Sequence, residues 1–305
     1  MAISNWYYLK SLVFPSGTEI TQITDATPAA NLEPMQEFAS GVPVPLFTGH
    51  AGGSPAIDFT TPQIKTLLNE LGGDFVIDTS AGNLDLDFDK GVQHGYRAGA
   101  NGRRFRCAQA MVYLLSIDAT HNQRATARVR IVPTWDGSAN PPMQPLAAVT
   151  PGGTSVAEEH FTLGPVELNA AQILGVLGWT FDLNPTVTPE GSDGEPYPTA
   201  VDMETIAPSL TVRTRSADIW DTVTADGLAI ATSLTWVLRR RERGGINYAD
   251  TDLQHVVFTA AKGTLGMDNT SGSLSNKSET QLRAIFESAS AAVMPVIFDT
   301  AAALP

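Results

Sequence analysis

The chain has little cysteine, few charged side chains and no long apolar run, and each shortage narrows what it can be. Its one cysteine, Cys107, cannot form an internal disulfide, and its apolar surroundings indicate a small buried hydrophobic residue rather than a nucleophile. No run of about 18 apolar residues is present to span a membrane, and the first residues lack the regions of a signal peptide. We therefore expect a soluble protein without a membrane partner.

Basic side chains are scarcer than acidic ones. With 19 Lys and Arg against 32 Asp and Glu, the formal net charge is −13, so the chain as a whole should repel nucleic acid and anionic membranes. What the chain does have is 26 Gly, 20 Pro and frequent Thr, a mixture of turn formers and β-branched residues that favours short strands over long helices. The composition predicts a mainly β fold.

Residues 1–60 carry many prolines and glycines around short apolar pieces. This pattern is typical of an arm, or of long loops laid over another surface. The aromatic side chains of this segment are costly to leave in water, which favours an arm that packs on a neighbouring subunit. The candidate arm residues are Trp6, Tyr7, Tyr8 and Phe14.

The clearest helix lies at 61–71, followed by Gly72 as its stop. Four apolar residues in it follow the i, i+3, i+4, i+7 spacing and predict one face buried against a sheet: Ile64, Leu67, Leu68 and Leu71. Thr60 or Thr61 is the expected N-cap.

Residues 61–305 are predicted to form one β domain with a Pro- and Gly-rich insertion near 133–157. The alternative is two β halves, 1–150 and 151–305. Alternating or β-branched residues predict strands at 84–89, 103–117, 125–132, 228–243, 254–260, 281–287 and 293–298. A short helix is expected at 216–226, a hairpin turn at 118–124 and a turn region at 263–278.

Three aspartates alternate with apolar residues in the first of these strands. Asp85, Asp87 and Asp89 should lie on one face, with Leu84, Leu86 and Phe88 on the other. The acidic face has three interpretations: a Ca²⁺ site, a solvated outer face, or an anionic surface that assembly creates.

Four arginines lie within five residues at the end of the 228–243 strand: Arg239, Arg240, Arg241 and Arg243. They are either solvated charges at a strand end or intersubunit salt bridges, with Asp193, Glu195 or the aspartate row as partners. A nucleic-acid patch is the least favoured interpretation, because no aromatic residues alternate with the arginines and the whole chain is acidic.

No catalytic motif is present. The five histidines lie far apart without metal-ligand spacing and are expected at the surface or in loops; they are His50, His94, His121, His160 and His255. The sequence also lacks a nucleophile elbow, a phosphate-binding loop and a dinucleotide fingerprint. We therefore predict a protein that is not an enzyme and that holds no metal or cofactor.

Residues 160–300 resemble the tail-tube proteins, the major tail proteins of long-tailed phages. The segments that carry the resemblance are ELNAAQILGVLGWTFDL (167–183), EPYPTAVDMETIAPSLTVRT (195–214), SADIWDTV (216–223), HVVFTAAKGTL (255–265), QLRAIFES (281–288) and AVMPVIFDT (292–300). Residues 1–60 and the overall length depart from that pattern.

The resemblance implies a β-sandwich or barrel with one flanking helix. It also implies copies that close into rings, commonly six-fold, and rings that stack into a DNA-conducting tube with other tail proteins. The chain would be made in the host cytoplasm and located in the virion, and Asp85, Asp87 and Asp89 would face an acidic lumen that repels DNA. The alternatives are a capsid decoration or tail-terminator protein, and a Ca²⁺- or carbohydrate-binding β-sandwich.

Overall fold

In a computed structural model of the chain, the described residues are 6–29, 31–37, 47–80, 82–91, 102–138, 140–149, 159–191, 194–216, 219, 223, 227–242, 247–273, 276–288, 290 and 293–305. These residues form many β-strands and one α-helix, which confirms the predicted mainly β fold with a single helix. In the same residues no helix is long and apolar enough to cross a membrane.

The first third of the chain already alternates strands with sharp turns. Its elements are β1 Trp6–Val13, β2 Glu19–Ile20, β3 Asp25–Ala29, β4 Leu32–Glu37, β5 Phe47–Gly53, β6 Ala56–Thr61, α1 Ile64–Leu71, β7 Val76–Asp78, β8 Leu84–Gly91 and β9 Gly102–Cys107.

Longer strands follow in the middle and at the end of the chain. They are β10 Gln109–Thr120, β11 Thr126–Thr134, β12 Met143–Val149, β13 Phe161–Leu168, β14 Ala171–Gln172, β15 Val176–Asp182, β16 Pro185–Glu190, β17 Ala200–Ile206, β18 Ser209–Thr214, β19 Leu228–Ala229, β20 Leu234–Arg240, β21 His255–Ala260, β22 Gly263–Ser273, β23 Asn276–Phe286 and β24 Val296–Ala302.

The strands form three large sheets and two ribbons, and every pairing is antiparallel. Sheet I has the order β12-β9-β8-β1-β2, and sheet III has the order β14-β13-β20-β21-β24. Sheet II, the largest, has the order β19-β22-β23-β18-β15-β10-β11-β6-β3, with β7 beside β10. The ribbons are β4–β5 and β16–β17.

The core lies where sheets II and III face each other, as in a sandwich. The ring of Phe181, on sheet II, lies 5.5 Å from that of Trp236 and 5.9 Å from that of Phe258, both on sheet III. Phe75, just after α1, joins the same group at 5.6 Å from Phe181. Such aromatic contacts bury large apolar areas and fix the two sheets against each other.

Helix α1 confirms the predicted apolar face, since Ile64, Leu67, Leu68 and Leu71 are all buried. The predicted threonine cap is wrong. Gln63 occupies the N-cap position, and its side chain makes no capping hydrogen bond. Instead, the carboxylate of Glu159 accepts hydrogen bonds from the backbone N–H groups of Lys65 and Thr66, at 2.8 and 3.0 Å. The first turn is therefore satisfied by a residue that lies 94 positions away.

The N-terminal 60 residues, expected as an arm or loops, contribute strands to two sheets. β1 pairs with β8 in sheet I, and β3 pairs with β6, which in turn pairs with β11 in sheet II. Phe14 is 2% exposed and lies in the chain's own core, so its predicted role as an intersubunit arm residue is wrong. Backbone pairing gives the described parts of this segment a regular structure in spite of their proline and glycine residues.

Other expected segments differ in detail. The predicted turn region at 263–278 is a hairpin formed by β22 and β23, and the expected strands at 103–117 and 228–243 each divide into two. The segment at 133–157 contains β12, which pairs with β9. The hairpin turn between β10 and β11 is confirmed. The helix expected at 216–226 lies mostly outside the described residues.

Candidate functional site

The aspartate row lies on β8, as the alternation predicts. Leu84 and Leu86 point into the core, where they are 0% and 1% exposed. Asp85 and Asp87 occupy the opposite face but are only 8% and 0% exposed, because the next strand covers them. The side chain of Asp89 lies outside the described residues.

The covering side chains are two arginines of β9. Arg104 donates from Nε and Nη2 to the two carboxylate oxygens of Asp87, at 2.5 and 2.8 Å, and its Nη1 lies 2.9 Å from Asp85. Arg106 donates from the same two atoms to Asp85, at 2.8 and 2.9 Å. The register that pairs Asp85 with Arg106 and Asp87 with Arg104 produces this geometry.

These ion pairs change what the row can do. The hydrogen bond to Asp87 raises the pKa of Arg104, and the hydrogen bond to Asp85 raises that of Arg106. Two guanidinium groups thus neutralise two carboxylates, and the interpretation of a solvated acidic face is wrong for Asp85 and Asp87. Unless the arginines are displaced, these two carboxylates can neither bind a Ca²⁺ ion nor give a lumen a negative charge.

The arginine cluster at the end of β20 makes contacts within its own chain. Arg239 forms an ion pair with Asp250, while Arg240 donates to Gln254 at 2.6 Å and lies over the ring of Tyr248. Arg241 contacts Asn247 at 3.2 Å, and Arg243 lies outside the described residues. The interpretation as a strand end with local partners fits these contacts; a role between subunits stays a prediction.

The aromatic residues of the predicted arm begin β1. Trp6, Tyr7 and Tyr8 pair through their backbones with Gly91, Lys90 and Asp89 of β8. The positions of their side chains lie outside the described residues. The backbone pairing places these three residues at the end of sheet I.

One histidine is not at the surface. His255 is fully buried; its Nδ1 accepts a hydrogen bond from the backbone N–H of Arg240 at 3.1 Å, and its Nε2 lies 3.0 Å from the carbonyl oxygen of Ala249. The expectation of a surface or loop residue is wrong there, because the imidazole fixes the 249–255 turn. Across the described segments no three His, Cys, Asp or Glu side chains come together as metal ligands.

A charged face that the sequence analysis missed crosses the solvent side of sheet II. Asp58 accepts two hydrogen bonds from Arg130, at 2.6 and 2.8 Å, which hold the pKa of Asp58 below its usual value. Farther along the sheet, burial and the neighbouring Asp118 raise the pKa of Asp182. Arg128, on β11, lies near Asp118 and Asp182, so positive and negative side chains alternate across this face. Its sequence signal is the period of two in Arg128 and Arg130.

Within the residues that the structure describes, sheet II has two edges at which no further strand pairs. β22 pairs with β19 only through Leu265 and Thr264 and has no other strand on that side, in the described chain, from Gly266 to Ser273. At the other end of the sheet, β3 is the edge strand. Free strand edges present unpaired N–H and C=O groups and are templates for pairing with another chain.

Comparison with protein-family models and with curated proteins finds no match to this chain. The fold and the contacts of the chain itself therefore carry any functional assignment.

Proposed function

We propose that the chain is a structural subunit that assembles with copies of itself into rings, and that the rings form a phage tail tube of the kind its second half resembles. The observation that carries this proposal is the pair of free edges of sheet II. Closing a ring through such edges removes them from solvent, which is the usual requirement for a large antiparallel sheet.

The directions of the two edge strands support head-to-tail closure. Eight strands run from β22 to β3, and each is antiparallel to the next. An even number of alternating strands leaves β22 and β3 pointing in opposite directions. When rotation about a ring axis brings β3 of one copy beside β22 of the next, the new pair is therefore antiparallel as well.

The free edge of β22 is long enough for specific pairing. Its residues from Gly266 to Ser273 span roughly 26 Å at about 3.3 Å per residue. The tip of the β22–β23 hairpin, at 271–273 and 276–279, also extends past β18, whose pairing with β23 ends at Thr280. An isolated two-stranded ribbon is marginally stable in water, so contact with a neighbouring copy would stabilise it.

Closure through sheet II would change which side chains face the DNA path. The β8 row lies on sheet I and is neutralised by arginines, whereas the solvent face of sheet II carries Asp118 and Asp182 beside Arg128. We therefore propose the face of sheet II, with its mixed charges, as the tube lining in place of the β8 row. Because positive and negative side chains lie side by side there, the lining would attract DNA phosphates only weakly, even though it is not uniformly acidic.

The experiment is light scattering with negative-stain microscopy of the purified chain. Rings or tubes are expected, and a monomer at every concentration would overturn the proposal. Thr270→Lys on the free edge of β22 should block assembly, because an edge lysine prevents strand pairing. The matched control is Thr186→Lys, an exposed residue of the β16–β17 ribbon, which should assemble normally. Equal assembly by both variants would exclude the β22 edge.

A further inference from the structure

The two edge strands of sheet II lie at different heights along the strand direction. One row of paired residues crosses the whole sheet and joins Asp25 of β3 to Thr264 of β22. Its members, in order across the sheet, are Asp25, Thr60, Arg128, Ser116, Asp182, Ser209, Ile285 and Thr264. From this row β3 runs to Ala29 in one direction, whereas β22 runs to Ser273 in the other. The two strands can therefore meet only if neighbouring copies are staggered.

The stretch of β22 that another copy can join is bounded by β19, whose two residues already pair with Thr264 and Leu265. Beyond them, in the described chain, five consecutive residues of β23, from Arg283 to Glu279, pair with β22 and leave its other side open. The β22 residues opposite them are Gly266, Met267, Asn269, Thr270 and Ser271. β3 also has five residues, Asp25–Ala29. The length of β3 thus equals the length of this open ladder.

The faces of the two strands restrict the register further. Side chains alternate between the faces of a sheet, so a shift by an odd number of residues would turn solvent-facing side chains toward the core. Asp25 shares its row with the exposed Arg128 and lies on the solvent face, whereas Ala26 and Met267 pack against the core. A shift of β3 by six residues is the even shift that sets all five of its residues against the open ladder. A shift of four would run into β19, and a shift of eight would place Asp25 beyond Ser271.

We infer that β3 of one copy pairs with β22 of the next in this staggered register, an inference that rests on the ring proposed above. The five antiparallel pairs are Asp25 with Ser271, Ala26 with Thr270, Thr27 with Asn269, Pro28 with Met267 and Ala29 with Gly266. The polar side chains of Asp25 and Thr27 stay on the solvent face, and Pro28 meets Met267 on the core side. Pro28 has no N–H group, so the join loses at most one backbone hydrogen bond there.

The stagger sets the tilt of the strands in the ring. Six residues correspond to roughly 20 Å along a strand at about 3.3 Å per residue. The eight strands from β22 to β3 are about 38 Å wide at about 4.8 Å per strand. A sheet that closes with this stagger at every join has its strands inclined by about 28° to the ring axis. Closed sheets combine tilt with stagger in this way, whereas a join without stagger would leave the strands parallel to the axis.

Disulfide trapping of the full chain tests the register. Thr27→Cys and Asn269→Cys, introduced together, should join neighbouring copies on mild oxidation, because Cα atoms directly opposite in an antiparallel pair lie about 4.5–5.5 Å apart. A non-reducing gel should then show a ladder of covalent oligomers that ends at the number of copies in the ring. The native Cys107 is fully buried and does not compete.

The matched control is Asp25→Cys with Thr264→Cys, which a join without stagger would place opposite each other. In the staggered register these two cysteines are roughly 20 Å apart along the strand, too far for a disulfide, so no ladder is expected. Rings that cross-link through the control pair, or through neither pair, overturn the inference and leave ring assembly standing. A natural chain that stays monomeric at every concentration overturns the ring and the join together.

Discussion

Arg104 holds Asp87 through two parallel hydrogen bonds from Nε and Nη2, and the carboxylate that it holds is completely buried between neighbouring strands. Ion pairs of this kind contribute little when compared with an apolar pair of the same volume, because both charges lose water. Losing one partner is different, since the other charge then stays buried without compensation. We therefore expect the pair to favour the register in which Asp87 lies opposite Arg104.

Arg104→Met is the first test of that role. It should lower the free energy of unfolding by about 3–5 kcal/mol, measured by denaturant titration at neutral pH, because the buried carboxylate of Asp87 loses the guanidinium group that offsets its charge. Adding Asp87→Leu should restore much of the loss. The comparison is Arg283→Met on the exposed face of β23, with an effect below about 0.5 kcal/mol. Equal effects of the two single changes would contradict the argument.

Asp182 should make stability depend on pH in a defined direction. Burial raises its pKa in the folded protein above the ordinary value of 3.8, so the unfolded chain ionises first as the pH rises. Asp182 thus lowers the free energy of unfolding at neutral pH, where its carboxylate is ionised. At about pH 3 it has no effect, because the carboxyl group is protonated in both the folded and the unfolded state. Asp182→Asn should raise the free energy of unfolding at pH 7 and leave it unchanged at about pH 3. Asp74→Asn, at an exposed position, is the control, and a gain that is the same at both pH values would exclude the pKa as the cause.

The carboxylate of Glu159 should matter to helix α1 in spite of its distance along the chain. Glu159→Ala should cost about 1–2 kcal/mol of unfolding free energy, since the N–H groups of Lys65 and Thr66 lose their acceptor. Arg124 contacts the backbone oxygen of Glu159, so that contact survives the change. Glu190→Ala, exposed at the end of β16, should have no measurable effect in the same denaturant titration.

Truncation of the buried face of α1 should cost more than loss of its cap. Leu68 is fully buried, and Leu68→Ala should lower the free energy of unfolding by about 2–5 kcal/mol through lost contacts and a residual cavity. Lys65→Ala is a suitable comparison, because Lys65 binds Glu159 through its backbone and keeps that bond. A midpoint unchanged by Leu68→Ala would mean that the helix packs elsewhere.

Cys107 should resist thiol reagents in the folded protein. Burial raises the pKa of its thiol to about 12, and the side chain has no exposed surface. Ellman's reagent at pH 8 should therefore find no reactive thiol in the native chain and one per chain in guanidinium chloride. Rapid reaction without denaturant would show that β9 opens locally.

Local patterns predicted the elements whose signal lies within a few residues. The spacing of Leu67, Leu68 and Leu71 identified α1, and the alternation around Leu86 assigned the two faces of β8. What the alternation could not give was the partner strand, because the register between Asp87 and Arg104 depends on the whole sheet. A signal for that register was nevertheless present, since Arg104 and Arg106 repeat with the same period of two.

The misassigned segments share a different cause. β22 contains three Gly and two Ser, and β3 and β4 contain Pro28 and Pro34, so their local preferences indicate turns. Pairing with strands elsewhere in the chain overrides those preferences.

The remote cap of α1 also bears on the order of events during synthesis. The helix leaves the ribosome 94 residues before the carboxylate that completes its first turn, and an eight-residue helix alone in water is barely populated. Sheet III, on which α1 packs through β24, is translated later still. The first turn of the helix therefore gains its acceptor only after Glu159, at the start of the second half, has been synthesised.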